Sequence, residues 1–185
     1  MSADLSPVIT ATTQWLLRSY PGTGGALDAA LAEAQASQAV MVAAWLRYPT
    51  AADAALVALV GPGGSARLEW VTGFDAAAAD ETDETDEGWR TWVDEVVASW
   101  AATLLATPSL AREAVTALDS SDHAAGLAFD FRRLTDPGER DRRAAPLLRH
   151  PDLLAALAGL HRDSLLRRLH GDPVREDALG DPLAG

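Results

Sequence analysis

The chain has 185 residues, a formal net charge of −12 and a mean hydropathy of −0.01, with six Trp, no Cys and, among its fifteen basic residues, only Arg. The absence of Cys excludes disulfides, thiolate nucleophiles and Cys-ligated metal, and the acidic surface disfavours general nucleic-acid binding. A 48% hydrophobic content is enough for one soluble domain with a full core, and the all-Arg, Ala-rich composition reads first as the mark of a GC-rich genome.

The start, Met1-Ser-Ala-Asp-Leu-Ser-Pro7, has neither the basic nor the apolar region of a secretory signal, so a cytoplasmic location is expected. Ser6-Pro7 is a helix-start pair, with Ser6 as cap, predicting a first helix to about Arg18. Tyr20-Pro-Gly-Thr-Gly-Gly25 breaks it. In the second helix Leu27, Leu31, Ala34, Met41, Trp45 and Tyr48 recur in steps of three and four, with Gln38 filling the one gap, and predict a single apolar face ending at Pro49. The apolar windows Ala39–Leu46 and Ala54–Val60 are too short to span a bilayer, so no membrane association is expected.

Thr50 and Asp53 have the spacing of a capping box and favour a helix over 51–60. The alternation Arg67, Leu68, Glu69, Trp70, Val71 favours an extended segment over 66–73, so a short β-hairpin near 55–73 stays open. Residues 75–87 read as a solvated linker or frayed helix entry, ending in the run Asp80, Glu81, Asp83, Glu84, Asp86 and Glu87. Trp89, Trp92, Val93, Val96, Val97, Trp100 and Leu104 then follow one helical face up to Thr107-Pro108.

Beyond it the sequence predicts a short helix capped by Ser109 to about Leu118 and another from Ser120-Ser-Asp122 to about Leu134. A helical stretch Glu139–Arg149 should split at Pro146, and a last helix should run from Pro151 to about Leu169, ending at Gly171. The fold class is therefore mainly α: an irregular bundle of about six or seven helices in one domain over residues 1–171, with a tail over 172–185. The expected core draws on Leu16, Leu31, Met41, Trp45, Trp92, Val96, Trp100, Phe129, Leu157 and Leu160.

Charge is polarised. Residues 1–131 carry 5 Arg against 18 acids, while residues 132–185 carry 10 Arg against 9. The acidic run lacks the Gly-containing, alternating ligand pattern of a calcium loop, so it is no metal site. Arg132, Arg133, Arg140, Arg142 and Arg143 cluster within twelve residues, with acids interleaved at helical spacing. No His pair has metal-ligand spacing, no Gly-x-Ser-x-Gly elbow occurs, and Gly61-Pro-Gly-Gly-Ser65 lacks the Lys of a phosphate loop. No catalytic residue, metal or cofactor is assigned.

Two function classes fit. The first is a non-enzymatic interaction module, such as an adaptor, regulator or specialised chaperone. It would use the acidic run and the Arg cluster to meet another protein or a second copy of itself. The second is a small helical enzyme or binding protein for an apolar ligand. Its pocket would be lined by Trp45, Trp89, Trp92 and Trp100, with His161 at the edge, since a helical wheel puts His161 among Leu153, Leu154, Leu157 and Leu165.

Overall fold

A computed structural model describes residues 4–22, 24–73, 87–124 and 130–171. These residues form ten α-helices and three short 3-10 turns, with no strand among them. The helices are α1 Ser6–Ser19, α2 Ala26–Arg47, α3 Ala51–Val60, α4 Ala66–Thr72, α5 Glu95–Ala106, α6 Pro108–Ala117, α7 Arg132–Thr135, α8 Glu139–Ala144, α9 Pro151–Gly159 and α10 Arg162–His170. The 3-10 turns are Glu87–Trp92, Leu118–Ser120 and Leu147–Arg149.

α5 is the axis of the fold. Its nine consecutive residues Val97–Leu105 are all buried, so it is enclosed on every side rather than along one stripe. α2 lies against one side of it and α9 against another, while α1 and α8 pack on α2. The α2 face that meets its neighbours is built from Ala32, Ala36, Ala39 and Ala43, joined by Val40, Val42, Trp45 and Leu46. Small side chains let helix axes approach closely, and α5 answers with Ala98, Ala101 and Ala102. This corrects the expected α2 face. Leu27 is exposed, and Leu31, Ala34 and Met41 are only partly buried, because the alanines rather than the larger residues line the close contacts.

Asp94 starts α5. Its Oδ1 accepts the backbone N–H of Val96 at 2.8 Å and of Val97 at 3.0 Å. Its Oδ2 accepts the hydroxyl of Tyr48, the residue that ends α2. The carboxylate is buried, yet three donors meet it. The cap also explains why the predicted long helix from Trp89 is two elements: Trp89 and Trp92 lie in the 3-10 turn, and the chain turns through Val93 and Asp94 before α5 begins.

Other starts and stops follow local chemistry. α3 opens with the predicted capping box: Asp53 N–H donates to Thr50 Oγ1 at 3.2 Å and Thr50 N–H to Asp53 Oδ2 at 3.0 Å. At α1 the expected Ser6 cap is replaced by Asp4, whose Oδ1 accepts Ser6 N–H at 2.9 Å. Its Thr-rich stretch is tolerated because Thr13 Oγ1 donates to Ile9 O at 2.7 Å. Glu139–Arg149 splits at Pro146 as expected.

Three predicted elements differ. The extended segment over 66–73 is helix α4, so no hairpin forms over 55–73. In a strand Leu68 and Trp70 would share a face, but in α4 they lie roughly 200° apart, Leu68 fully buried and Trp70 83% exposed. Gly73, at φ 65°, supplies the left-handed stop that favours the helix. The predicted helix from Ser120 to Leu134 is absent at its start. Ser121 Oγ and Asp122 N–H both donate to Pro49 O, drawing 121–124 into turns against the end of α2. The last helix is broken into α9 and α10 at Leu160-His161.

Of the expected core, Leu16, Trp45, Trp100 and Leu157 are buried, while Met41, Trp92, Val96 and Leu160 pack against the core partly exposed. Leu31 is partly buried, and Phe129 lies outside the described residues, as do 75–86 and the expected tail 172–185.

The chain's two tyrosines test this packing. Burial raises the pKa of both hydroxyls above the ordinary phenol value, and Asp94 pushes Tyr48 further up. The unfolded chain releases these protons near pH 10 and the folded protein holds them. Their contribution to stability is therefore level below about pH 10 and is lost as pH rises above it. An ultraviolet absorbance titration should show phenolate formation displaced above pH 10 for both tyrosines while the fold persists. A full one-tyrosine step there in folded protein would contradict the packing of Tyr20 or Tyr48.

Candidate functional site

α5 presents a polar face to the α9–α10 junction. Thr103 Oγ1 donates to Ala158 O at 3.1 Å, and Trp100 Nε1 donates to His161 O at 3.2 Å. His161 N–H donates in turn to Ser99 Oγ at 3.0 Å. The bonds at Ala158 O and His161 N–H take the place of intrahelical ones, while His161 O still accepts Leu165 N–H at 3.1 Å as the first carbonyl of α10. With Gly159 weakening the last turn of α9, they account for the break. His161 thus sits at the N-cap position of α10, 27% exposed, rather than mid-helix on a buried leucine face.

Its ring completes a small charged cluster. His161 Nε2 lies 2.9 Å from Oε1 of Glu95, the first residue of α5, and Arg67 Nη1 of α4 lies 3.6 Å from the same oxygen. A carboxylate at a helix N-terminus is favoured by the dipole. A carboxylate that orients an imidazole is one half of a general-base arrangement. Beside it Glu69 of α4 meets Arg90 Nη1 at 3.9 Å and accepts Ser65 Oγ at 3.1 Å.

The structure brings Trp100 and His161 together and gives the other candidate pocket residues different partners. Trp45 stacks on His123, with ring centroids 6.4 Å apart and planes within 8°, and meets Phe131 edge-on. Trp89 carries the guanidinium groups of Arg18 and Arg90 over its ring at 4.8 and 5.6 Å. Trp92 is partly buried against the core. An open cleft between α2 and α8 is lined by Asp28, Glu139, Arg140 and Arg143, and no tryptophan lines it.

The Arg-rich third divides into braces and free surface. Gln35 of α2 is fully buried; its Nε2 donates to Asp141 O at 2.8 Å, and its Oε1 accepts Arg149 Nε at 2.7 Å. Arg149 also donates to Arg133 O at 3.0 Å, and Arg133 pairs with Asp141 at 2.6 Å. One amide and one guanidinium thereby tie α2 to α7, α8 and the turn Leu147–Arg149. Burial lowers the pKa of Arg149, with Asp141 opposing the shift and Arg142 adding to it. Arg143 pairs with Glu139 at 2.7 Å. Arg132, Arg140 and Arg142 are exposed and form no ion pair among the described residues. Of the acidic run, Asp80, Glu81, Asp83, Glu84 and Asp86 lie outside the described residues, and Glu87 opens the 3-10 turn.

The surface feature that sequence reading missed is α3–α4. Every residue of α3 except Asp53 is apolar, yet only Ala54 and Val57 are buried. Leu56 is 59% exposed, Leu59 83% and Val60 80%, and Trp70 of α4 adds another 83%. The signal was present in Ala54–Val60, an apolar run with no polar face. Such a run reads as core, and only the packing shows that the described residues leave it uncovered.

Among the described residues no three His, Asp or Glu gather as metal ligands, and no helix is long and apolar enough to cross a membrane. No family model matches the chain, and no curated protein or solved structure matches it either.

The two kinds of Arg separate by mutation. Arg149→Met leaves Gln35 Oε1 and Arg133 O without their donor and is expected to cost about 2–4 kcal/mol in urea unfolding. Arg140→Gln, on open surface, should change stability by less than about 0.5 kcal/mol. Equal effects would remove the distinction.

Proposed function

We propose that this chain is a protein–protein interaction module, of the adaptor, regulator or specialised chaperone kind, with α3–α4 as its docking element. The observation that carries the reading is the exposure of Leu56, Leu59, Val60 and Trp70 on two successive helices. Large apolar groups left in water on consecutive elements mark interaction surfaces, and Trp is enriched among residues that dominate binding energy. α3 is held by its capping box and by the burial of Ala54 and Val57, so it keeps its shape before a partner arrives. The acidic run 80–87, and Arg132, Arg140 and Arg142, supply charge that steers association and sets specificity. Arg133 and Arg143 contribute less, because each already has an acidic partner within the chain.

A second reading, a small-molecule-binding protein or small enzyme, is favoured by one observation: the contact between His161 and Glu95 beside Trp100. It requires that His161→Gln abolish a ligand response in Trp fluorescence while the fold survives. Loss of stability with no ligand response to lose would leave His161 as a helix-junction residue.

The docking reading is tested by affinity capture from the protein's own host, comparing the chain with a Leu59→Ser, Trp70→Ser variant. Both positions are exposed, so the variant should keep its helical circular dichroism, with stability changed by no more than about 0.5 kcal/mol. Bound partner should fall at least about tenfold, as loss of one hot-spot contact alone would give. Capture unchanged by the double substitution would contradict the reading. Replacing the acids of 80–87 by Asn and Gln should weaken the same association and reduce its salt dependence.

A further inference from the structure

We infer that the occupant of the α3–α4 face is a second copy of this chain, packed across a two-fold axis; this rests on α3–α4 being the docking element. The first argument is charge. In a two-fold interface each surface meets itself, so an unpaired charge near the axis is set against its own copy. α3 carries one ionisable group, Asp53, and that carboxylate accepts from Thr50 in the capping box. α4 carries two, and both have partners within the chain: Arg67 with Glu95 and Glu69 with Arg90. The face thus keeps one unpaired charge, Asp53 in the first turn of α3, about 9 Å along the helix from Leu59, on a protein of net charge −12. A different partner for so acidic a protein would be expected to present basic groups, and this face offers them a single acid, Asp53, already engaged by Thr50.

The second argument is area. A standard interface buries roughly 800 Å² per partner, about 65% of it apolar in homodimers, which asks for on the order of 500 Å² of apolar surface from each copy. A tryptophan contributes about 150–250 Å², and three aliphatic side chains on the order of 100 Å² each. Trp70, Leu56, Leu59 and Val60 together therefore supply about what a dimer needs. α3 is almost wholly apolar, and its capping box holds its N-terminus, so pairing two copies asks for little reordering.

The test is sedimentation equilibrium of the full chain over a wide range of concentration, at low and high salt. The expected result is a monomer–dimer equilibrium that salt scarcely changes. Leu59→Asp combined with Trp70→Ser should weaken it at least about tenfold. The absence of Cys gives a second measurement on a nearly native surface: Leu59→Cys should form a disulfide-linked dimer on mild oxidation, whereas Arg112→Cys, exposed on α6, should not. A monomer at every concentration overturns the inference. So does a dimer that survives the double substitution, one that dissolves in salt, or equal cross-linking from both cysteines. A monomeric wild type whose capture of a different protein still depends on Leu59 and Trp70 would leave the docking element standing and remove only the second copy.

Discussion

The buried carboxylate of Asp94 is the constraint from which the rest of the fold takes its positions. One oxygen closes the first turn of α5, and the other holds the hydroxyl at the end of α2. A carboxylate removed from water without partners costs several kcal/mol, while each hydrogen bond to a charged group contributes about 1.5–3 kcal/mol. Asp94 is therefore stable only if both the α5 backbone and Tyr48 are in place. That requirement fixes where α5 begins and how α2 lies against it. Alanine-lined faces on the two helices then allow the close packing that buries nine residues of α5 in succession.

Two further polar nodes extend the frame from this pair. Ser99, Trp100 and Thr103 reach out of α5 to the backbone of α9 and its junction with α10, so the break between those helices is written on α5. On the other side of α2, Gln35 and Arg149 hold α7 and α8. The polar groups thus set register inside an Ala-rich core whose side chains are too uniform to set it alone. α3 stands outside this scheme. It is stable locally, buries little and keeps its apolar surface in water, which is why the functional reading settles on it rather than on the charged cleft or the dispersed tryptophans.

Much of the helical order was legible from local signals. The Thr50–Asp53 spacing, Pro49, Pro108, Pro146 and Gly171 each act within a few residues, and they mark boundaries where the structure has them. What was not legible depended on partners distant in sequence. The buried face of α2 is chosen by α5, the break at His161 by Ser99 and Trp100, and the turns after Ser121 by Pro49 O. The alternation over 67–71 fits a strand or one helical turn equally, and Gly73 decides for the helix. The candidate sites follow the same division. The Arg cluster was visible, but not which members brace the core. The tryptophans were visible, but a row of Trp and Val at helical spacing does not reveal that Asp94 divides it. Apolar α3 was visible as a helix, while its exposure depends on what the rest of the chain leaves uncovered.

The central claim is that Asp94 couples α2 to α5 through Tyr48. The most direct measurement is a double-mutant cycle of Asp94→Asn and Tyr48→Phe, with stability taken from urea unfolding at neutral pH. Asn keeps an acceptor for the α5 backbone, and Phe keeps the ring in place, so the cycle isolates the carboxylate–hydroxyl contact. A coupling energy of about 1–3 kcal/mol is expected, with each single substitution destabilising. Additive effects, with coupling below about 0.5 kcal/mol, would show that the two helices are held by apolar packing alone and that Asp94 is no more than a local cap.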